Sequence, residues 1–381
     1  GLRNLTKLIS GVTERIGREV NPHVMKLTEY KERVQVQDHF VTHVLDGPRL
    51  FIIGNEDDFA AMGNVPSLLR ERLATDTDLQ LLAPIAGQES ATGQTRKVLF
   101  RLRDGHVIES VLMNYDERRT ACISTQVGCG IGCPFCATGQ DGLARNLSAG
   151  EIVAQVIHFA RQILESEIEQ ASAKGVKADS QAHPVTNIVL MGMGEPLANY
   201  AATWQAIETL TDARGYNLGA RRITLSTVGL VPGIRRLADE GLPINLAISL
   251  HAPDDELRNR LVPANQRYPL GELMAAVREY ALKTKRRVSF EYALIAGVND
   301  TLQHATQLGA LLHSMLCHVN LIPLNPTPGT PLRPSAREQV HAFRDVLVGA
   351  GIPTTVRVRR GISIEAGCGQ LRQRQAGIAE A

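Results

Sequence analysis

From Ala121 onward, short apolar runs of strand length alternate with longer stretches of helical periodicity, and this alternation restricts the chain to an α/β fold. The strand candidates are Ala121–Thr125, Asn187–Met191, Ile223–Thr227, Ile244–Leu250, Val288–Ile295 and Val319–Leu324. Helical stretches lie between them near Ala149–Ile163, Ala201–Leu210, Ile234–Asp239, Leu270–Leu282 and Thr301–Met315. A further helix, Ala336–Val348, leads to the strand-like Thr354–Val358. Repeats of this kind give a parallel sheet with crossover helices, either barrel-like or doubly wound, and six strands are fewer than a closed eight-stranded barrel needs. The polar run Glu169–His183 reads as a surface loop ahead of the second strand.

Upstream the pattern differs. Leu2, Leu5, Ile9, Val12 and Ile16 form one apolar stripe of an N-terminal helix that also carries Arg3, Lys7, Arg15 and Arg18. Residues 34–53 read as short strands and Phe59–Leu73 as a helix. Lys97–Arg101 and His106–Met113 read as a hairpin turning at Asp104-Gly105. With 44% hydrophobic residues the 381-residue chain can bury a sizeable core. A formal charge of only +2 excludes a polybasic tail protein and an acidic disordered one. No apolar run reaches membrane-spanning length, and the first residues lack a secretory pattern. Six cysteines are too few for a disulfide scaffold in a chain this long. These features point to a cytoplasmic protein with no membrane association, and nothing in them demands more than a monomer.

The strongest chemical signal is Cys129-Gly-Ile-Gly-Cys133-Pro-Phe-Cys136. Three thiolates on one short loop after a strand can wrap a soft metal centre. Structural zinc would want a fourth ligand, and the next histidine, His158, falls inside a helix candidate. Three cysteines on a four-iron cluster leave one iron open, which is what a substrate-binding cluster requires. Gly128, Gly130 and Gly132 permit the tight loop, and Phe135 can shield it from solvent.

This spacing is that of the radical S-adenosylmethionine (SAM) enzymes, and neighbouring motifs narrow the likeness. The run Cys122-Ile-Ser-Thr-Gln-Val-Gly-Cys129, then Phe135-Cys136-Ala137-Thr138-Gly139 and Arg145-Asn146-Leu147, resembles the RlmN/Cfr family of RNA adenine methyltransferases. So do Met191-Gly192-Met193-Gly194-Glu195-Pro196, Thr224-Leu225-Ser226-Thr227, Ser249-Leu250-His251-Ala252, Arg260-Leu261-Val262-Pro263 and Gly367-Cys368-Gly369-Gln370-Leu371. The resemblance runs from about residue 94 to 372 with the motifs in order. The first 58 residues depart from the family pattern.

The resemblance implies a partial (β/α)6 radical SAM barrel over residues 94–360, a small N-terminal accessory, RNA-binding region over 1–93, and a tail over 361–381. It implies a [4Fe-4S] cluster on Cys129, Cys133 and Cys136, with SAM contacted by Gly194, Glu195, Ser226, Ser249, Leu250, His251 and Asn325. Cys368 matches the cysteine that is itself methylated, Cys122 a proton-handling thiol that helps resolve the RNA adduct and can form a transient disulfide with Cys368, and Glu109 the acid–base glutamate. Taken alone, Cys122 reads as a packed strand cysteine and Glu109 as a solvent-facing acid. Cys317 matches no motif and reads as core. The implied activity is methylation of C2 of an adenine in 23S rRNA, with an anticodon-loop adenine of tRNA as a second substrate. It consumes two SAM and needs a reducing electron donor such as flavodoxin. The rival readings are Cfr-type C8 methylation, which confers antibiotic resistance, and a non-catalytic RNA-associated iron–sulfur protein.

Because an adenine ring carbon is electrophilic, SAM cannot methylate it by simple displacement, whereas a thiolate can accept the methyl group first. RNA contact must come from local clusters: Arg118-Arg119, Arg221-Arg222, Lys285-Arg286-Arg287, and Arg357 with Arg359-Arg360. An aromatic content of 4% argues against an extended stacking platform and favours one extruded adenine in the barrel mouth.

Overall fold

The computed structural model describes residues 81–357 apart from 141, 174–182, 214 and 327–329. Contacts divide the chain into two compact units, Gly1–Thr77 and Asp78–Ala381, and every described residue lies in the second. The elements expected before residue 80 therefore lie outside the described residues, as does Cys368.

Ten strands form one sheet. An antiparallel leading part is built from β1 (Leu82–Glu89), β2 (Thr95–Leu102) and β3 (Val107–Asn114), with β3 pairing antiparallel to β4 (Arg119–Cys122). Parallel pairing then runs from β4 through β7 (Asn187–Leu190), β8 (Ile223–Thr227), β9 (Asn245–Ser249), β10 (Val288–Leu294) and β11 (Cys317–Pro323) to β12 (Thr354–Val356). The crossovers are α2 (Ala149–Ala173), α3 (Tyr200–Thr211), α4 (Val231–Asp239), α6 (Leu270–Thr284), α7 (Leu302–Leu312) and α8 (Arg337–Gly349). A separate hairpin, β5 (Gln126–Gly128) with β6 (Leu143–Asn146), carries the cysteine loop and the short helix α1 (Ala137–Gln140).

Alternation along the strands gives this sheet two unlike faces. Ile188, Leu190, Ile223, Leu225, Leu246, Ile248, Phe290, Tyr292, Val319 and Leu321 share one core cluster with helix residues such as Val156, Ile207, Ile234, Val277, Leu308 and Phe343. The intervening residues are largely polar: Asn187, Thr224, Ser226, Ser249, Ser289, Glu291, His318 and Asn320. A sheet covered by helices on one side thus turns a hydrophilic wall to the other. Cys317 is buried in the core as expected.

Besides the β5–β6 hairpin with α1, and β4 ending at Cys122 where a strand to Thr125 is expected, three elements differ from the sequence reading. Strand β1 lies within the segment assigned to the accessory region, yet pairs with β2 along its length, with an irregularity between Pro84 and Ala86. Its proline, glycine and small residues carry little strand signal, and only an edge position tolerates them. Helix α2 continues to Ala173 where a loop is expected from Glu169, because Glu, Gln and Ala favour helix even without an apolar stripe. Helix α5 (Asp255–Leu261) is short but well terminated: the Asp254 carboxylate accepts from Leu257 N at 2.9 Å, with acids in the first turn and arginines in the last.

A buried polar knot joins the leading hairpin to the parallel sheet. Gln155 of α2 is fully buried; its Oε1 accepts from Ser124 N (2.8 Å) and Ser110 Oγ (2.6 Å), and its Nε2 donates to Ser124 O (2.9 Å) and Glu151 O (3.1 Å). Ser124 Oγ in turn donates to Glu109 O (2.6 Å) and accepts from Met193 N (2.9 Å). Replacing Gln155 with Ala leaves several buried partners unsatisfied, so Gln155→Ala should destabilise this unit by roughly 2–4 kcal/mol in denaturant titrations.

Candidate active site

The cysteine loop is held at both ends. Cys129 N donates to Gly142 O (2.7 Å), Cys136 N to Cys133 O (3.1 Å), and Gly139 N to Cys136 O (3.0 Å). Gly128, at φ +80°, is irreplaceable, since a Cβ there would lie 2.0 Å from Gly142 O. Cys133 sits in a second apolar cluster with Ala252, Leu257, Leu261, Val262, Ile295 and Leu324, against which Ile131, Phe135 and Cys136 also pack. The loop therefore rests over the C-terminal ends of β9, β10 and β11 and on α5. Burial pushes the Cys129 thiol up to about 11, and burial with the neighbouring Cys136 and Cys129 pushes Cys133 higher still. Thiols so placed ionise readily only against a bound cationic centre.

Among the described residues no three His, Cys, Asp or Glu side chains converge as a single metal ion requires. A [4Fe-4S] cluster fits the donor set of this loop, and Cys129, Cys133 and Cys136 would hold it. His158 does not complete a zinc site: it lies in α2 with its ring against Phe100 (4.8 Å) and Phe159 (5.6 Å), and burial lowers its pKa to about 4.

The predicted SAM contacts fall at successive strand ends. Gly194, at φ +104°, lies so close to Gln126 that a Cβ would meet its side chain at 2.6 Å. Gln126 fixes the turn by accepting from Glu195 N at 2.8 Å and donating to Asn146 Oδ1 at 2.7 Å. Glu195 is buried, with one carboxylate oxygen accepting from Leu197 N (2.9 Å) and the other from Val228 N (2.8 Å). Burial raises its pKa to about 7 despite those bonds. Ser226 and Ser249 face each other, Oγ to Oγ, at 3.3 Å. His251 takes φ +64°, accepts at Nδ1 from Ala293 N (3.0 Å) and meets the Phe135 ring edge-on at 4.9 Å. Leu250 differs from the rest: its side chain is core, its N–H donates to Glu291 O, and its carbonyl is taken by Ala252 N and Arg258 Nε.

Arg258 was not singled out by its sequence. It is wholly buried in α5, donating to Leu250 O (3.1 Å), Val228 O (2.5 Å), Ser249 O (3.3 Å) and Asn265 Oδ1 (2.7 Å). One guanidinium thus ties the turns after β8 and β9 together beneath the cysteine loop.

Glu109, Cys122 and Asn325 line one cavity of about 630 Å³ on the polar face of the sheet. Glu109 is not solvent-facing: it is 2% exposed and paired at 3.2 Å with Lys97, whose side chain is 0% exposed. Lys97 is a second residue that the sequence reading missed; only its place among alternating residues of a hairpin strand hinted at an inward side chain. Cys122 lies opposite Val111 on β3; burial raises its pKa, opposed by the nearby Arg357 and Lys97. The opposite wall carries Ser289 and Glu291 from β10, His318 and Asn320 from β11, and Thr355 from β12. Of the basic clusters, Arg118, Arg222 and Arg357 reach the cavity lining.

The Radical SAM superfamily profile matches residues 123–308. The "Probable dual-specificity RNA methyltransferase RlmN" of Roseiflexus sp. (strain RS-1) is 52% identical over 345 residues, 83% of this chain and 86% of that protein. The "Dual-specificity RNA methyltransferase RlmN 1" of Myxococcus xanthus (strain DK1622) is 54% identical, covering 81% of this chain and 82% of its own length. The crystal structure of a radical SAM methyltransferase from Sphaerobacter thermophilus superposes with a TM-score of 0.75 at 48% identity, covering 91% of this chain and 97% of that one. With the cysteine loop, the strand-end turns and the cavity in one unit, the chain belongs to the RlmN family of radical SAM RNA methyltransferases, which use a [4Fe-4S] cluster and SAM.

Proposed function

We propose that the protein methylates C2 of an adenine in 23S rRNA, and an anticodon-loop adenine of tRNA, through an S-methylcysteine and at the expense of two SAM. The observation that carries this reading is the shared cavity, which takes Glu109 from the antiparallel β3 and Cys122 from β4 on one side, and polar groups of β10 to β12 on the other. The parallel strands are read as a partial (β/α)6 barrel wrapped around that cavity, with the accessory N-terminal region docking RNA. Ribosomal and transfer RNA as substrates imply a cytoplasmic location. Among the described residues no helix is long and apolar enough to cross a membrane.

Cys129, Cys133 and Cys136 hold the cluster, which when bound with SAM supplies the one-electron reduction that cleaves a carbon–sulfur bond of SAM. Glu195 presents a buried carboxylate to the ammonium end of SAM, while Ser226, Ser249, His251 and Asn325 meet the rest. Cys368 accepts a methyl group by displacement, leaving S-adenosylhomocysteine. Lys97 holds the Glu109 carboxylate beside Cys122, ready to move a proton at the substrate carbon. The Cys122 thiolate attacks the Cys368 sulfur, the carbon–sulfur bond to the substrate breaks with its electron pair left on the methylene, a proton taken up there completes the methyl group, and a thiol reductant then opens the Cys122–Cys368 disulfide.

Anaerobically reconstituted protein with SAM, reductant and 23S rRNA fragments should yield 2-methyladenosine, read by nuclease digestion and mass spectrometry. Cys368→Ala should yield none while retaining iron, and Cys122→Ala should accumulate a protein–RNA adduct. 8-Methyladenosine would contradict the C2 assignment, and SAM cleavage without RNA methylation would sink the RNA substrate. The carboxyl of Glu195 gives a pH signature. Its folded pKa is raised from 4.5 to about 7, so the stability linked to its proton is full below 4.5 and lost as pH rises through 7. Melting of the cluster-free protein should lose stability over that interval, and Glu195→Gln should remove this part of the pH dependence.

A further inference from the structure

The cavity contains a second buried carboxylate, on the wall away from Glu109. Glu291 is 7% exposed, lies in the middle of β10 and lines the cavity. Its Oε2 accepts from Asn320 Nδ2 at 2.8 Å. Asn320 is itself oriented, since its Oδ1 accepts from Thr355 Oγ1 at 3.2 Å and Thr355 Oγ1 bonds His318 Nε2 at 2.9 Å. This chain fixes the carboxyl plane and leaves Oε1 without a hydrogen-bond or ion-pair partner among the described residues. That oxygen is not sealed in the interior but opens on the cavity, where a ligand can supply the donor it lacks. Arg357, which also faces this cavity, influences Glu291 through space but forms no ion pair with it.

Of the residues assigned to SAM only Asn325 lines this cavity, while Glu195, Ser226 and Ser249 do not, and Glu109 and Cys122 line it. Glu291 thus stands on the substrate's side rather than with the SAM-binding turns, although Ser249 is its register neighbour on β9. A cavity of about 630 Å³ falls within the size range of small-ligand sites and can take one extruded nucleotide. The geometry points to Glu291 as the residue that selects the base, its free oxygen accepting from the exocyclic amine of the target adenine while Asn320 holds it in place. A carbonyl oxygen at the same ring position, as in hypoxanthine or guanine, would face that oxygen acceptor to acceptor. A purine without the amine would leave it unpaired. This inference rests on the adenine reading proposed above.

The test uses cluster-loaded full-length protein and RNA fragments carrying adenine or unsubstituted purine at the methylated position. Wild type should methylate the adenine RNA about 10- to 100-fold faster than the purine RNA. Glu291→Ala should slow the adenine reaction by a similar factor and abolish the preference. Glu291→Gln, which keeps an acceptor, should restore most of the preference. Binding of S-adenosylhomocysteine and the melting temperature should stay near wild type in Glu291→Gln. Equal wild-type rates on the two RNAs, or an adenine preference that survives in Glu291→Ala, would overturn the assignment. So would a tenfold weakening of S-adenosylhomocysteine binding in Glu291→Gln, which would move the residue to the cofactor's side. If wild type methylates neither RNA, the adenine reading itself falls and takes this inference with it.

Discussion

The hydroxyl of Ser124 is where the site is joined. It bridges a carbonyl of the acid-bearing strand, at Glu109, to the amide of Met193 just before the Gly194-Glu195 turn. Ser124 itself sits between Cys122 and the first cluster cysteine. Around it Thr125 N and Gln126 N both donate to Met193 O, and Asn199 Nδ2 donates to the carbonyls of Thr125 and Leu147 at 2.8 Å. Three pieces of chain distant in sequence are thereby fixed relative to one another without any loop long enough to drift. A radical reaction requires this, since positional error at the reacting centre is expensive.

The second constraint is the two-faced sheet. Parallel strands in α/β proteins are usually apolar on both sides because helices cover both. Here one face is polar, and several of its polar groups pair with one another: Lys97 with Glu109, Ser226 with Ser249, and Glu291 with Asn320. A buried ion pair such as Lys97–Glu109 is poor as a source of stability, and removing one partner costs about 3–5 kcal/mol.

Much of this was legible beforehand. Strands β7 to β11 announced themselves because an apolar residue recurs at every second position, and the cysteine loop because its ligands lie within a few residues of each other. The edge strand β1 was missed for lack of apolar side chains, and the end of α2 because its solvated residues have helix propensity without periodicity. Family likeness points to Glu109, whereas alternation alone places it in solvent; its buried partner, Lys97, comes from another strand. Arg258 and Glu291 were not seen for the same reason. Their meaning depends on carbonyls and amides brought to them by the fold, and no local pattern records such partners.

In the proposed reaction the transferred methyl group passes through a protein thioether and loses a hydrogen there. The most direct measurement supplies SAM bearing a fully deuterated methyl group to protein that has been cleared of prior methylation, with RNA and reductant. Mass spectrometry then reads the deuterium in 5′-deoxyadenosine and in the methyladenosine product. The account predicts one deuterium in 5′-deoxyadenosine and two retained in the new methyl group. A product that keeps all three, with none in 5′-deoxyadenosine, would show direct displacement and contradict it.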